Sequence, residues 1–171
     1  MSSGATHARN AHAVIWISIP TSLAIAWKID PQAIAGIGGA LIGWLIEPDL
    51  DLHNVTTRSE RRMWRLSPVV GYLWEVYWYP LARAIPHGSR LSHLPPLCTA
   101  IRLAYVLVTA YAVCRLWGLS VDLQAIDWLA IRWVYWAFAW WVLQDFVHLA
   151  ADGFKRRRWG KKKRKRGKRR R

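Results

Sequence analysis

Histidines and carboxylates gather in four short clusters of this chain, and these side chains are the ones best suited to chemistry. The clusters are His7; Asp49, Asp51 and His53; His87 and His93; and Asp145, His148 and Asp152. Proteins use mixtures of imidazole and carboxylate ligands to hold zinc, manganese or iron, often for hydrolysis. The clusters therefore predict a metal site, provided that the fold brings them together.

The last cluster has the spacing of a helix. His148 and Asp152 are four residues apart, so they share one helical face, and Asp145 adds to that face three residues earlier. We predict His148 and Asp152 as metal ligands. Asp145 lies deeper in an apolar run, where an ionisable residue needs a function or a buried partner, and we predict that it orients a ligand histidine. The alternative is a polar helix end that caps itself.

The second cluster begins directly after Pro48, which ends the preceding apolar run. Asp49, Asp51 and His53 alternate with leucines, so an extended chain would point all three side chains the same way. Carboxylates are disfavoured near the negative end of a helix dipole, so a positive partner such as a metal ion is expected there. We predict Asp49 and Asp51 as ligands, either one also as a general base, and His53 as a support behind the ligands.

The third cluster is a polar loop between two apolar stretches. His87 and His93 bracket Arg90 in this loop, and we predict both histidines as metal ligands. A guanidinium group fits phosphate or carboxylate in a bidentate way, so Arg90 is a candidate for binding an anionic group of a substrate. An equal alternative is that Arg90 only marks the cytoplasmic side of a membrane.

Four apolar runs, at 11–27, 32–46, 97–116 and 128–149, would position these clusters. A helix of about 20 apolar residues crosses a bilayer, and 13 Trp with 6 Tyr suit its interfaces. We predict an all-α integral membrane protein with about four transmembrane or membrane-embedded helices in two hairpins, joined by an interfacial middle segment. Gly36 with Ala40, and Gly39 with Gly43, have the small-residue spacing that allows close helix packing. The alternative is a soluble helical protein with apolar core helices.

Nearly all of the net charge of +15 lies in residues 155–171, which contain no acid. We predict a helical membrane domain at 1–154 and a disordered polybasic tail at 155–171. Anionic lipid is the expected partner of the tail, with nucleic acid as the alternative. The distribution of Lys and Arg places both termini and the middle segment in the cytoplasm, so a multi-pass protein of the cytoplasmic (inner) membrane is expected, with all four clusters at its cytoplasmic boundary.

The clusters, in this order between apolar helices, resemble a bacterial family of metal-binding membrane proteins of unknown function. More distantly, the chain resembles the YdjM-type membrane-bound metal-dependent hydrolases. The stretches that carry the resemblance are Ser3–His7, Pro48–Asp51, Pro86–His93 and His148–Asp152, within residues 2 to 155. The resemblance implies a divalent metal, zinc first and manganese or iron next, and hydrolysis of an ester or phosphoester at the cytoplasmic membrane face.

Two other functions remain open. In the first, a structural metal site clamps the helices and the basic tail tethers anionic lipid or nucleic acid. In the second, the protein transports metal, which would require polar groups continued through the apolar runs, where only His12, Arg102, Arg132 and Asp145 lie.

Overall fold

The computed structural model describes residues 4–47, 57–85, 94–119 and 127–168, with side chains for 9–47, 57–85, 94–119, 127 and 130–151. All regular secondary structure in these ranges is helical, which confirms the all-α prediction. The elements are α1 (Gly4–Lys28), a short 3-10 helix (Pro31–Ile34), α2 (Ala35–Leu45), α3 (Arg58–Leu66), α4 (Pro68–Ala84), α5 (Leu97–Leu116) and α6 (Trp128–Lys168).

Helices α3 and α4 form a hairpin, and capping residues explain where each of the two helices begins. Thr57 and Glu60 form a capping box at the start of α3, each accepting a hydrogen bond from the other's backbone N–H. Ser67 caps α4, and Pro68 occupies its first turn, where a missing N–H costs nothing. These signals place the middle segment in two short helices joined by a single residue.

Helix α2 packs along α6 through its small residues. Gly36, Gly39, Ala40 and Gly43 are all buried, as the small-residue spacing predicts. A Cβ atom on Gly39 would overlap the backbone carbonyl of Ala137 in α6, and one on Gly43 would lie 2.8 Å from the Cβ of Gln144. The glycines therefore let the two helix backbones approach more closely than any larger side chain would permit.

The contacts of α5 and α6 can be compared with the two hairpins predicted from the sequence. The first hairpin, α1 with α2, is present, but α6 packs along α1 and α2 and meets α5 mainly around one ion pair. Helix α5 also contacts α4, where the Tyr77 and Thr109 hydroxyls are 2.7 Å apart and the Tyr77 and Tyr105 rings 5.2 Å apart. The prediction of a second hairpin made of α5 and α6 stays a prediction: the two helices contact each other at the Arg102–Asp145 pair, while α6 packs most extensively on the glycine face of α2.

The turn between α1 and α2 is fastened to α6 by Asp30. Its carboxylate accepts hydrogen bonds from Gln32 N (3.1 Å), Trp136 Nε1 (2.8 Å) and Arg132 Nε (3.2 Å), and its Oδ2 lies 2.8 Å from Arg132 NH2. The Trp136 hydrogen bond is the largest influence that lowers the pKa of Asp30, helped by the Gln32 N–H and Arg132, while burial acts in the opposite direction. Asp30 thus joins three elements at one end of the bundle.

Helix α5 is long and apolar enough to cross a membrane, and among the described helices it alone passes that test. Only 17% of its apolar window is buried within the chain. The segment Pro31–Leu45 is apolar but shorter.

Helix α6 continues through the basic tail to Lys168. Lys and Arg are good helix formers, and the chain has no proline after residue 128 to end the helix. The predicted disorder of 155–171 and the division into a membrane domain and a tail at residue 155 stay predictions.

Two single substitutions of neighbouring glycines in α2 by alanine should have opposite effects on the free energy of unfolding. Gly39→Ala should lower the free energy of unfolding by about 1–3 kcal/mol, because its methyl group would overlap α6. Gly38→Ala is the matched control: a Cβ there meets nothing within 4 Å, and alanine favours the helix by up to about 1 kcal/mol. Thermal unfolding in detergent, followed by circular dichroism, measures both. Equal stability of the two variants would contradict the close packing of α2 on α6.

The stability contributed by Asp30 should depend on pH. Because its folded pKa is lowered, this contribution is complete above the unfolded value of about 3.9 and is lost as the pH falls through the folded pKa. Asp30→Asn should therefore unfold at a lower temperature than wild type at pH 7, and the difference should shrink in strong acid. A difference that stays constant from neutral to strongly acidic pH would contradict the role of the charged carboxylate.

Candidate functional site

A small pocket lies where α1 begins and α2 ends. Its wall is formed by Asn10, Ala11, Gly43, Trp44, Glu47, Arg58, Gln144, Val147 and His148. Four helices contribute to it, so the pocket marks a point of convergence at the end of the bundle opposite Asp30.

His148 is the predicted metal ligand whose side chain the structure describes, and it lines this pocket. It is half-buried on α6, one helical turn after Gln144. Gln144 holds the surrounding backbone together, because its Nε2 donates to the carbonyls of Ala11 in α1 (3.0 Å) and Ala40 in α2 (3.1 Å). The position of His148 relative to α1 and α2 is therefore fixed by a buried neighbour.

The pocket also contains Glu47, a carboxylate that the sequence prediction missed. Glu47 is buried; its Oε1 accepts a hydrogen bond from Ser59 N (2.8 Å), and its Oε2 lies 4.0 Å from Arg58 NH1. An acid directly before Pro48, at the end of an apolar run, was the signal in the sequence. Glu47 ties the end of α2 to the start of α3 and shares the pocket wall with His148.

The remaining predicted site residues lie outside the described side chains. These are His7, Asp49, Asp51, His53, His87, Arg90, His93 and Asp152. The backbone nevertheless locates two of the positions: residue 7 is one turn before Asn10 in α1, and residue 152 is one turn after His148 in α6. Asp49 and Asp51 follow Glu47 by two and four residues, so the chain enters the second cluster directly from the pocket wall.

An ion pair between α5 and α6 is buried close to the pocket. Arg102 and Asp145 are 4% and 1% exposed, and a guanidinium nitrogen of Arg102 donates to Asp145 Oδ2. The Thr99 hydroxyl donates to the same oxygen, and the guanidinium lies 5.4 Å from the centre of the Trp141 ring. Asp145 therefore has the buried partner that its position in an apolar run requires.

Arg102 also fixes the end of α2. Its NH1 donates to the carbonyl of Ile46 (2.5 Å), and its Nε donates to the carbonyl of Cys98 (3.2 Å). Ile46 precedes Glu47 of the pocket, so these hydrogen bonds place the first turns of α5 at the pocket end of the bundle. The chain that leads out of the third cluster, at 94–96, reaches α5 at this same end.

The proposed role of Asp145 behind a ligand histidine stays a prediction. Its Oδ2 is engaged by Arg102 and Thr99, whereas Oδ1 is buried and accepts no hydrogen bond within the described part of the chain. Oδ1 is thus the atom that could accept a hydrogen bond from an imidazole.

The described side chains do not complete a metal site by themselves. Within 9–47, 57–85, 94–119, 127 and 130–151, no three His, Cys, Asp or Glu side chains form a group that could hold a metal ion. His148 and Glu47 share the pocket, and further ligands would have to come from the clusters that adjoin it.

Comparison with protein-family models, with curated proteins and with solved structures found no match to this chain. The family resemblance of the four clusters stays a prediction.

Replacing one partner of the buried ion pair should destabilise the protein more than replacing both partners. Asp145→Leu should lower the free energy of unfolding by about 3–5 kcal/mol, because the Arg102 guanidinium is left buried without its counter-charge. The double variant Arg102→Leu/Asp145→Leu should recover part of that loss. A double-mutant cycle by thermal unfolding in detergent measures the coupling. Additive losses in the cycle would show that the two side chains do not stabilise each other.

Proposed function

We propose that this chain is a multi-pass membrane protein that binds a divalent metal ion at the pocket end of its bundle and hydrolyses an ester or phosphoester there. One observation carries the proposal: the chain segments that adjoin all four clusters meet at this end. They are the start of α1, the end of α2, the start of α5 and the His148 turn of α6. The ligands predicted from the sequence would then share one region although they are far apart in the chain.

Exposed apolar surface supports a membrane location. Helix α5 crosses the bilayer in this proposal, and its Leu107, Val108 and Leu116 are exposed. Helix α1 has 25 residues and α6 has 41, so both have the length to span in this proposal, although by hydropathy α5 alone passes among the described helices. The 15 residues of Pro31–Leu45 reach only about 22 Å, so α2 is embedded between them without fully crossing.

The distribution of arginine supports a cytoplasmic pocket. Arg58 lines the pocket, and α3 carries three more arginines along the next two turns. The basic tail follows α6 beyond the same end of the bundle. Positive charge beside membrane helices favours the cytoplasmic side, so both termini and the pocket are assigned to the cytoplasm.

The donor chemistry fits zinc, and also manganese or iron. His148 and Glu47 offer nitrogen and oxygen, and His7, Asp49, Asp51, His87, His93 and Asp152 would complete the set. A bound ion would supply Lewis-acid activation of water and of the ester. Asp51 or Asp49, whichever is not a ligand, would take the proton from the attacking water.

The packing favours a catalytic role over a structural one. The Arg102–Asp145 pair, the Gln144 hydrogen bonds and the glycine face of α2 already join the helices near the pocket. A metal ion is not needed to clamp a bundle that is fastened in this way. The structural alternative, with the tail tethering anionic lipid, predicts that the protein unfolds when the metal is removed.

Metal content of the purified protein tests this proposal. Wild type, prepared in detergent without chelators, should carry at least one zinc, manganese or iron ion per chain, and His87→Ala/His93→Ala should lose it. His12→Ala is the control, because His12 is exposed, lies outside the clusters and only faces the Trp44 ring at 5.9 Å. Inductively coupled plasma mass spectrometry measures the number of metal ions per chain in each sample.

Stoichiometric metal absent from wild type would contradict the proposal. A double variant that keeps its helix content and melting temperature while losing phosphoesterase turnover would support catalysis. A double variant that unfolds together with metal loss would support the structural alternative.

A further inference from the structure

Helix α3 places Arg58 in the pocket wall and Arg62 against the pocket residue Trp44, four residues apart on one helical face. Arg58 lines the pocket and its side chain is 18% exposed. Arg62 lies over the ring of Trp44, another pocket residue, at 3.8 Å from the ring centre, and its NH1 donates to the Trp44 carbonyl (3.2 Å). The ring and the carbonyl hold this guanidinium in place at the end of α2.

Among the described side chains, one carboxylate faces these two arginines. The carboxylate that faces them is Glu47, which is 4.0 Å from Arg58 and already accepts the Ser59 N–H. Glu60 of the same helix is engaged with Thr57 in the capping box. Burial lowers the pKa of the Arg62 guanidinium, the charge of Arg58 lowers it further and Glu47 acts in the opposite direction, so an anion at this point would favour the charged form.

The arginines also retain hydrogen-bond donors. Each guanidinium has five N–H groups, and among the described contacts Arg62 uses one of them, while Arg58 only approaches Glu47 at 4.0 Å. A phosphate group accepts such donors in pairs, and the fork geometry of arginine matches its oxygens.

We propose that Arg58 and Arg62 form a binding site for the phosphate group of a phosphomonoester at the mouth of the pocket. The inference rests on the proposed function, since this phosphate would be part of the substrate hydrolysed beside it. The phosphate could belong to a lipid headgroup, because Val69, Leu73 and Val76 of the adjoining helix α4 are exposed apolar residues, or to a soluble phosphate compound. Both sources present the same chemistry to the arginines.

Titration calorimetry on the chelator-treated full-length protein in neutral detergent tests the site. Dihexanoyl phosphatidic acid and inorganic phosphate are the two ligands. Arg58→Gln/Arg62→Gln should weaken binding about tenfold or more, the effect of losing charge-assisted hydrogen bonds. Arg65→Gln is the matched control: it removes one charge from the exposed last turn of α3 and keeps the tail, so its affinity should change less than about twofold.

The binding results of the double variant distinguish the two sources of phosphate and can also overturn the inference. Loss of binding for both ligands supports a site for phosphate itself, and loss for phosphatidic acid alone supports a lipid headgroup as the source. Unchanged binding by the double variant overturns the inference, as does an Arg65→Gln loss equal to that of the double variant. If the double variant fails to fold because Trp44 loses its partner, the single variant Arg58→Gln replaces it with the same readings.

Metal content measured on untreated samples separates the two proposals. If wild type contains metal but binds neither phosphate ligand, the phosphate site at the arginines is wrong and the proposed metal site stands. Absence of metal from a wild type whose arginines still bind phosphate overturns the proposed hydrolase and leaves a phosphate-binding protein.

Discussion

The buried pair of Arg102 and Asp145 constrains the rest of the bundle. Two charges removed from water are stable only when they are paired and hydrogen-bonded; here Arg102 also donates to the carbonyls of Ile46 and Cys98, and Asp145 Oδ2 also accepts from the Thr99 hydroxyl. Because Ile46 directly follows α2, Arg102 links α2, α5 and α6. Ile46 and Asp145 are the sequence neighbours of the pocket residues Glu47 and Gln144, so the pair helps to position the pocket wall.

Different interactions hold the two ends of the bundle. At the far end, Asp30 gathers the α1–α2 turn and α6 through Trp136 and Arg132. Between the ends, the glycines of α2 allow α6 to pack at backbone distance. At the pocket end, Gln144 links α1, α2 and α6 through two carbonyls. The helices that form the pocket wall are therefore joined at both ends of the bundle, and the proposed catalytic role would depend on this support.

Local features can be predicted well from the sequence, whereas the contacts between distant helices and side chains cannot. Apolar runs identify the helices, the spacing of Gly36, Gly39 and Gly43 identifies a close-packed face, and Asp145 in an apolar run implies a buried partner. Which helix covers the glycine face depends on the tertiary structure, so the packing of α6 on α2 could not be predicted from periodicity. Glu47 was missed because its role depends on Ser59 and Arg58, which reach it only after the chain has turned.

The central claim is that the four clusters form one metal site at the pocket end. X-ray absorption at the metal edge of the purified, metal-replete protein tests it most directly, because the spectrum reports the ligand atoms themselves. The account predicts imidazole nitrogen and carboxylate oxygen at about 2.0–2.2 Å, with histidine scattering from at least two rings. A spectrum of water ligands alone, or sulfur at about 2.3 Å from a cysteine, would contradict it.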